Sequence, residues 1–219
     1  NPLEIKNSCY FCSSKCLVEV NHGNSNNKNF SAEAYNCTSL AHKYKPQVVN
    51  CLVCDLSYVP ESGYPKDIEN IYSDVEDYKY LENSESRYKT FQNSLNKISS
   101  YFPDKGNLLE VGSYCGLFLE VFKKKFSNWD YIGVEPSRWA SEYARNKLQI
   151  NTKTGTLEEN IKNLSSDYNA VVAWDVLEHL NDPLGFLNNV NSVMKKDGIL
   201  CFSTLDIDNW FPNLLGKNW

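Results

Sequence analysis

The sequence predicts an α/β fold, a parallel sheet flanked by helices, preceded by a small cysteine-rich module. Two observations carry this prediction. Leu108 to Leu119 read as a short apolar strand, a turn bounded by Gly112 and Gly116, and the apolar start of a helix. That arrangement opens nucleotide-binding α/β sheets. In addition, six of the eight cysteines lie before residue 55, which sets the start of the chain apart from the rest.

The glycine turn predicts an adenosine-type ligand without phosphates. Glu135 ends a second apolar run, at the distance where an acid accepts hydrogen bonds from a ribose diol. A dinucleotide site would need the pattern G-x-G-x-x-G, whereas here Tyr114 stands between Gly112 and Gly116 and no P-loop lysine follows. S-adenosylmethionine (SAM) suits such a turn, with its carboxylate near the helix N-terminus and its ammonium near Glu110. The alternative is an α/β domain whose turn binds nothing.

The segments that follow continue the pattern of a parallel sheet. An apolar strand starts at Tyr168 and ends at Asp175, and a short polar turn comes next. Asp182 is a natural helix cap and Pro183 suits the first helical turn. Lys195 to Gly198 read as a charged helix end with a glycine turn, and a further strand runs to about Ser203.

In order and spacing these pieces resemble the class I SAM-dependent methyltransferases over about residues 105 to 205. The matching motifs are Glu110-Val-Gly112…Gly116, Gly133-Val-Glu135-Pro-Ser137, Gly155-Thr-Leu157, Asp175-Val-Leu-Glu-His179 and Lys196-Asp-Gly198. The resemblance is closest to the branch that methylates sugars and other small metabolites, often in surface-polysaccharide gene clusters. In that branch Leu214 to Trp219 also have a counterpart. The implied fold is the Rossmann-like sheet of this family.

The resemblance implies which residues contact the cofactor. Tyr114 stands where the family often has a third glycine, so it is expected over the methionine or ribose moiety. Thr156 stands where an acid often bonds the adenine amino group, so adenine recognition would fall to backbone groups or to Glu158. The full implied set is Glu110, Gly112, Ser113, Tyr114, Gly116, Glu135, Pro136, Thr156, Leu157, Asp175 and Val176.

His179 is the candidate catalytic base. It follows the strand that ends at Asp175, on the side where the transferable methyl would project, and imidazole has a suitable intrinsic pKa for a base. Alternatively His179 only holds its turn in place. Glu178 is a weaker candidate for the same role.

Two C-x-x-C knuckles predict a structural zinc site. A tetrahedral zinc ion needs four thiolates, and Cys9 with Cys12 and Cys51 with Cys54 supply two from each knuckle. The alternative is a pair of disulfides in an exported protein, which the enzyme-like remainder of the chain makes less attractive. Two cysteines and two histidines remain as possible substitutes or bystanders: Cys16, Cys37, His22 and His42.

The family resemblance extends to this module. Some sugar and metabolite methyltransferases carry C-x-x-C, a variable loop and a second C-x-x-C followed by a strand and a proline. Residues Cys51 to Pro60 match that form, except that Asp55 replaces the usual glycine. The resemblance implies that zinc is structural and fixes a lid-like N-terminal segment against the substrate side.

The chain is therefore expected to have three parts: a zinc-ribbon-like module over 1–60, a linker and helical lid over 61–104, and the SAM-binding domain over 105–219. Apolar residues recur at helical spacing from about Val75 to Tyr101. Family members usually continue the sheet with a helix and an antiparallel strand pair. The sequence ends at Trp219, so those C-terminal strands are expected to be missing.

Composition limits the function classes. The formal net charge of −5 over 219 residues disfavours a large nucleic-acid surface. No apolar run approaches the roughly 20 residues of a membrane span, and the first residues do not look like a signal peptide. The expected location is cytoplasmic and the expected partner is a small-molecule acceptor.

Three functions stay open from the sequence. The first is SAM-dependent methylation of a small molecule, a sugar or a related metabolite. The second is methylation of rRNA or tRNA with the zinc ribbon gripping the RNA, although the knuckle region is poor in lysine and arginine. The third is a non-catalytic SAM-fold partner protein, given the expected absence of the last strands. The identity of the acceptor and the atom methylated do not follow from the sequence.

Overall fold

The structure, a computed structural model, describes residues 8–21, 31–38, 46–60, 63, 65 and 67–209. Its main body is a five-stranded sheet in the order β6-β5-β4-β7-β8, in which every neighbouring pair is parallel. The five strands are β4 (Gly106–Val111), β5 (Trp129–Glu135), β6 (Thr152–Thr154), β7 (Tyr168–Trp174) and β8 (Met194–Ser203). The predicted α/β class and Rossmann-like sheet are confirmed.

Helices cover both faces of this sheet, as the apolar character of its central strands requires. Leu108 and Val172 face one apolar cluster and Leu109 and Val171 face another, and all four are fully buried. The helices are α1 (Ile68–Ser73), α2 (Tyr78–Glu82), α3 (Ser84–Ile98), α4 (Leu117–Lys125), α5 (Arg138–Lys147), α6 (Leu157–Asn160) and α7 (Pro183–Val193). Helices α3, α4 and α5 contribute to the first cluster, and α6 and α7 to the second.

The N-terminal module is a small antiparallel sheet of β1 (Leu17–Asn21), β2 (Val48–Cys51) and β3 (Ser57–Tyr58). Val49 and Cys51 of the central strand are fully buried. The first knuckle lies before β1, and the second lies in the turn between β2 and β3. The strands therefore bring the two knuckles together at one end of the module.

Polar side chains join this module to the helices that precede β4. Asp77 is 2% exposed, caps α2 by accepting from the Tyr80 N–H, and also accepts from the N–H and the hydroxyl of Thr38. The Ser137 hydroxyl donates to the carbonyl of Val75. We call residues 67–98, which contain α1, α2 and α3, the lid segment. It is held by the module on one side and by the sheet domain on the other.

The cap of α7 agrees with the sequence prediction, whereas several helix boundaries differ from it. Asp182 caps α7 through the Gly185 N–H, with Pro183 in the first turn, as predicted. The helical stretch expected from Val75 to Tyr101 is divided into α2, α3 and a 3-10 turn, while α1 was not expected. Helix α7 ends at Val193, before the predicted charged end, because strand β8 begins at Met194.

A bulge replaces the predicted turn at the start of β8. Tyr168 pairs with Met194 and Ala170 pairs with Ile199, so residues 195–198 protrude from the ladder. The described part of the parallel sheet ends at β8 on one edge, without the antiparallel pair of the family. His22, His42 and Leu214 to Trp219 lie outside the described residues. Among those that are described, no helix has the length and apolarity to cross a membrane.

Candidate functional site

The glycine turn that follows β4 has a backbone conformation in which several residues adopt positive φ, and this restricts which residue types can stand there. Gly112 and Gly116 have φ of 72° and 79°, and Tyr114 between them also has a positive φ of 44°. A Cβ on Gly112 would lie 2.6 Å from Cγ2 of Val176. The Gly112 and Ser113 N–H groups both donate to the Val134 carbonyl, which fixes the turn against the end of β5.

Glu135 sits at the carboxyl end of β5, beside this turn. Its side chain is 6% exposed, and its two carboxylate oxygens accept 2.8 Å hydrogen bonds from the N–H groups of Tyr114 and Ser137. Burial raises the pKa of Glu135 to about 7, while the two N–H donors act in the opposite direction by stabilising the ionised form. The carboxylate predicted for a ribose diol is thus anchored at the carboxyl edge of the sheet.

Glu110 on β4 is a second buried carboxyl at the same edge. It is 2% exposed, and its Oε2 atom is buried with no hydrogen-bond partner among the described residues. Burial, with a smaller contribution from Glu135, raises the pKa of Glu110 well above its ordinary value. An unpartnered buried oxygen is costly, and here it marks a position where a ligand group could bind.

Tyr114 directs its ring to the lid segment. The ring lies 4.6 Å from that of Tyr80 on α2 and 6.1 Å from that of Trp139 on α5, measured between centroids. The Arg87 guanidinium carbon lies 3.7 Å from the centre of the Tyr80 ring, and so covers this aromatic group. The Tyr114 hydroxyl is buried and has no hydrogen-bond partner among the described residues. Whether Tyr114 also contacts a cofactor, as expected from the sequence, stays a prediction.

The remaining residues of the predicted cofactor set surround the turn or stabilise its neighbours. Ser113 is buried and packs in the space left by Gly133, where a Cβ would lie 2.5 Å from the Ser113 Oγ. Pro136 is half-buried next to Glu135. Thr156 caps α6 in a capping box with Glu159, and its hydroxyl oxygen accepts a hydrogen bond from the Glu159 N–H. Leu157 is buried in the second core cluster.

On the other side of the turn, Asp175 follows β7 with a φ of 54°. Its N–H donates to the carbonyl and hydroxyl oxygens of Ser203, and the Ser203 hydroxyl donates to Asp175 Oδ1 at 2.7 Å. Val176 packs on Gly112. These contacts bring the ends of β4, β7 and β8 to one edge, where clefts of parallel sheets bind ligands.

His179 lies in a 3-10 turn, Leu177–His179, directly after this edge. Its N–H donates to the Val176 carbonyl, and the residue is exposed. The imidazole ring lies 5.9 Å from the Tyr72 ring of α1, which in turn lies 5.3 Å from the ring of Tyr35. Two tyrosine rings, one from the lid segment and one from the N-terminal module, therefore follow one another beside the candidate base.

The four knuckle cysteines form one cluster. The Sγ atoms of Cys9, Cys12, Cys51 and Cys54 all lie within 4.8 Å of one another. The Sγ atoms of Cys9 and Cys54 are 3.7 Å apart, and those of Cys12 and Cys51 are 3.5 Å apart. Four thiolates about 2.3 Å from a tetrahedral zinc ion would be about 3.8 Å apart, whereas a disulfide requires about 2.05 Å. The donor set fits one zinc ion, and all four cysteines are free.

The knuckle backbones support a thiolate cluster. The Phe11 N–H donates to Cys9 Sγ, and the N–H groups of Cys54 and Val53 lower the pKa of Cys51 to about 6. Asp55, which replaces the family's usual glycine, has a φ of 58°, the conformation that favours glycine there. The leftover cysteines, Cys16 and Cys37, are exposed and lie outside the cluster.

Several contacts at the site had no clear sequence signal. The bonds from Thr38 to Asp77, from Ser137 to Val75 and from Ser203 to Asp175 join residues at least 28 positions apart. No periodicity or motif marks such pairs. Tyr72 lies in the stretch that the sequence predicts as linker and lid, and its helix α1 is too short for a helical pattern to be recognised.

Comparison with known proteins identifies the family. Residues 82–219 match the family described as a methyltransferase domain. Ubiquinone biosynthesis O-methyltransferase of Rhodopseudomonas palustris (strain BisB5) is 32% identical over 110 residues, which are 47% of this chain and 41% of that protein. The protein of the same description from Actinobacillus pleuropneumoniae serotype 7 (strain AP76) is 28% identical over 106 residues, 45% of each chain. The chain spans a little under half the length of these curated relatives.

A solved structure has the same fold. The plantazolicin methyltransferase BpumL, in complex with a pentazolic desmethylPZN analog and SAH, aligns with a TM-score of 0.51 and 19% identity over 64% of this chain and 58% of that one. The likeness concerns the fold alone. Because the family match covers well over half of the residues, the chain belongs to the methyltransferase-domain family.

The burial of Glu110 predicts a pH-dependent stability. A carboxyl whose pKa is higher in the folded than in the unfolded chain contributes stability that is present at low pH and lost as the pH rises. We expect the urea midpoint of the ligand-free protein to fall between pH 5 and pH 8, and to fall less in Glu110→Gln. The exposed acid Glu142 provides the control, because Glu142→Gln should follow the wild type. Parallel curves for wild type and Glu110→Gln would contradict the assignment.

Proposed function

We propose that this member of the methyltransferase-domain family transfers a methyl group from SAM to a small molecule, a sugar or a related metabolite. The observation that carries the proposal is the pair formed by the glycine turn and Glu135. The Tyr114 N–H of the turn donates directly to the Glu135 carboxylate. This contact supports a site in which Glu135 binds the ribose diol next to a turn that lacks the dinucleotide glycine pattern.

The cofactor would be held by residues that the structure groups around the turn. Glu135 would accept hydrogen bonds from the ribose hydroxyls through the lone pairs that its two backbone donors leave free. Glu110, whose Oε2 has no hydrogen-bond partner among the described residues, would face positively charged groups of the ligand. When bound, SAM supplies a sulfonium methyl that is already electrophilic, so the chain's own residues must mainly position the acceptor and exclude water.

His179 would remove the proton of an acceptor hydroxyl. In the turn after β7 it lies beside Tyr72, which in turn contacts Tyr35, at the end of the sheet that carries the glycine turn. In this role a neutral imidazole nitrogen accepts the hydroxyl proton as the acceptor oxygen attacks. Glu178, whose Oε2 accepts from the hydroxyl of Thr204, is the weaker candidate.

Two kinds of acceptor have support. The sugar assignment rests on the resemblance of the knuckle-bearing N-terminal segment to sugar methyltransferases. The second candidate is O-methylation of an aromatic acceptor. The curated relatives are named ubiquinone biosynthesis O-methyltransferases, and the rings of Tyr35 and Tyr72 would favour an aromatic acceptor. Product mass spectrometry with a panel containing nucleotide sugars and catechol-type phenols separates the two.

We also propose that the four-cysteine cluster holds one structural zinc ion. Four thiolates fill a tetrahedral shell and leave no position for a reactive water. The cluster lies at the end of the module whose Thr38 bonds Asp77 of the lid segment. Zinc would therefore keep the lid segment in place and take no part in the chemistry.

The two other functions make different predictions. A non-catalytic partner protein would give no methylated product and need not bind SAM in calorimetry. An RNA methyltransferase would bind RNA with a steep dependence on salt, because each phosphate contact releases counterions. The net charge of −5 argues against an extended phosphate-binding surface.

Glu135→Gln tests the cofactor site. The substitution keeps the shape of the side chain and removes one charge-assisted acceptor, which should cost about 1.5–3 kcal/mol of SAM affinity. Isothermal titration calorimetry should therefore give a dissociation constant roughly 10 to 100 times higher. Glu142→Gln on the exposed face of α5 is the charge-matched control. Equal SAM affinity in wild type and Glu135→Gln would remove Glu135 from the site.

Metal analysis tests the zinc proposal. We expect one zinc per chain in the wild type, loss of zinc in Cys9→Ser or Cys54→Ser, and retention of zinc in Cys16→Ser, since Cys16 lies outside the cluster. Chelation should loosen the N-terminal module while the sheet domain stays folded, because binding energy at such a site is folding energy of the module alone. Mass mapping that found the four knuckle cysteines in disulfides would refute the site.

His179→Ala tests the base. Loss of a general base should lower the methyl-transfer rate by roughly 10²–10⁴ with SAM affinity nearly intact. The wild-type rate should rise with pH through the imidazole pKa, because only neutral imidazole can accept the proton, and this rise should vanish in the variant. Glu178→Gln is the matched comparison and should retain the pH profile. If His179 only braces its turn, stability or SAM affinity will fall while the pH profile keeps its shape.

A further inference from the structure

Asp175, the residue that follows β7, has a left-handed backbone. Its φ of 54° lies in a region that residues other than glycine rarely adopt, although aspartate and asparagine do so more readily than most. Such a conformation persists only where neighbouring groups hold it. Asp175 stands at the carboxyl edge of the parallel sheet, and the next residue packs on the glycine turn. The group that holds Asp175 therefore influences the geometry of the candidate site.

The hydroxyl of Ser203, at the end of β8, holds Asp175 in this conformation. The Asp175 N–H donates to Ser203 Oγ at 3.1 Å, and the same hydroxyl donates to Asp175 Oδ1 at 2.7 Å. The Asp175 N–H also donates to the Ser203 carbonyl at 3.2 Å, a contact that continues the ladder in which Trp174 pairs with Ser203. Any residue at position 203 could provide that carbonyl, whereas the two bonds of the hydroxyl need serine or threonine.

The conformation of Asp175 sets the position of Val176. Cγ2 of Val176 lies 2.6 Å from the place that a Cβ on Gly112 would take, so this side chain packs directly on the glycine turn. The Val176 carbonyl also accepts from the His179 N–H, which closes the 3-10 turn that carries the candidate base. A change of backbone at residue 175 would therefore displace the contact on the glycine turn and the start of the 3-10 turn together.

The neighbouring residue of β8 contacts the same segment in a different way. The Thr204 hydroxyl donates to Glu178 Oε2 at 3.1 Å, so two consecutive residues at the end of β8 bond to residues 175 and 178. Thr204 reaches only a side chain, whereas Ser203 bonds to the backbone of Asp175. Ser203 is therefore the residue that acts on the course of the chain.

We propose that Ser203 is a positioning residue of the candidate site. Its hydroxyl keeps Asp175 in the left-handed conformation, and Asp175 in turn keeps Val176 against the glycine turn. Ser203 acts through the backbone of Asp175 and needs no contact with the ligand. The proposal rests on the proposed function, in which the ligand at the turn is SAM, and it adds a residue that lies outside the predicted cofactor set.

Isothermal titration calorimetry with SAM and with S-adenosylhomocysteine tests the role of the hydroxyl. Ser203→Ala removes two hydrogen bonds and should raise both dissociation constants by roughly tenfold. Ser203→Thr keeps a hydroxyl and should restore most of this loss. Ser192→Ala is the matched control, because the Ser192 hydroxyl donates to the Asn189 carbonyl within α7, away from the carboxyl edge. Equal affinities of wild type and Ser203→Ala for both ligands would overturn the proposal.

Glycine at position 175 separates positioning from direct contact. Glycine adopts a positive φ without strain, so it does not need the Ser203 hydroxyl to hold it there. Whatever Asp175→Gly itself costs in SAM affinity, adding Ser203→Ala to that variant should raise the dissociation constant by less than about twofold, because the two residues act as one unit. A Ser203→Ala effect of the same size in both backgrounds would mean that Ser203 contacts the ligand itself, and would overturn the proposal.

A crystal structure of ligand-free Ser203→Ala tests the cause directly. It should show a negative φ at residue 175 and Val176 displaced from Gly112, and an unchanged positive φ would overturn the proposal. If Ser203→Ala does not fold, Ser203→Cys replaces it in both measurements, because a thiol is a weaker donor and acceptor than a hydroxyl. If the wild type binds neither SAM nor S-adenosylhomocysteine, the proposed function fails, whereas unchanged affinities in a wild type that binds both overturn only the role of Ser203.

Discussion

The Glu135 carboxylate is the interaction on which the arrangement of the site depends. It accepts from the Tyr114 N–H of the glycine turn and from the Ser137 N–H at the start of α5. The Ser137 side chain caps α5 and donates to Val75 of the lid segment. One buried carboxylate thus fixes the turn, orients a helix and indirectly positions the lid. A charged group in this position is tolerated because its hydrogen bonds compensate part of the lost hydration.

The lid segment is held from two directions. Asp77 bonds Thr38 of the N-terminal module and caps α2, whereas Tyr80 packs on Tyr114 of the turn. The cysteine-rich module therefore acts on the site at a distance, by fixing the segment that lies over the glycine turn. Through the lid segment the module is thus connected to the carboxyl edge of the sheet, where the glycine turn lies.

Much of the fold and part of the site could be predicted because their signals are local. Strand–turn–helix order, the spacing from Gly112 to Glu135 and the C-x-x-C pairs all lie in short sequence windows, and the sheet, the turn and the cysteine cluster are present. Contacts such as Thr38 to Asp77 depend on the tertiary fold and leave no such trace. Lys195 to Gly198 have the composition of a turn, so the sequence predicts one there. The structure instead has a bulge in β8, and the ladder resumes at Ile199.

The packing of Val176 on Gly112 restricts how this turn can change in evolution. A side chain at position 112 would be strained by the positive φ there, and its Cβ would lie 2.6 Å from a methyl group of Val176. A smaller residue at 176 would remove the steric clash but not the backbone strain. Gly112 is therefore constrained twice, by its own backbone and by its neighbour. Divergence among relatives should accumulate at the middle of the turn instead, where Tyr114 already departs from glycine and tunes the contact with the lid.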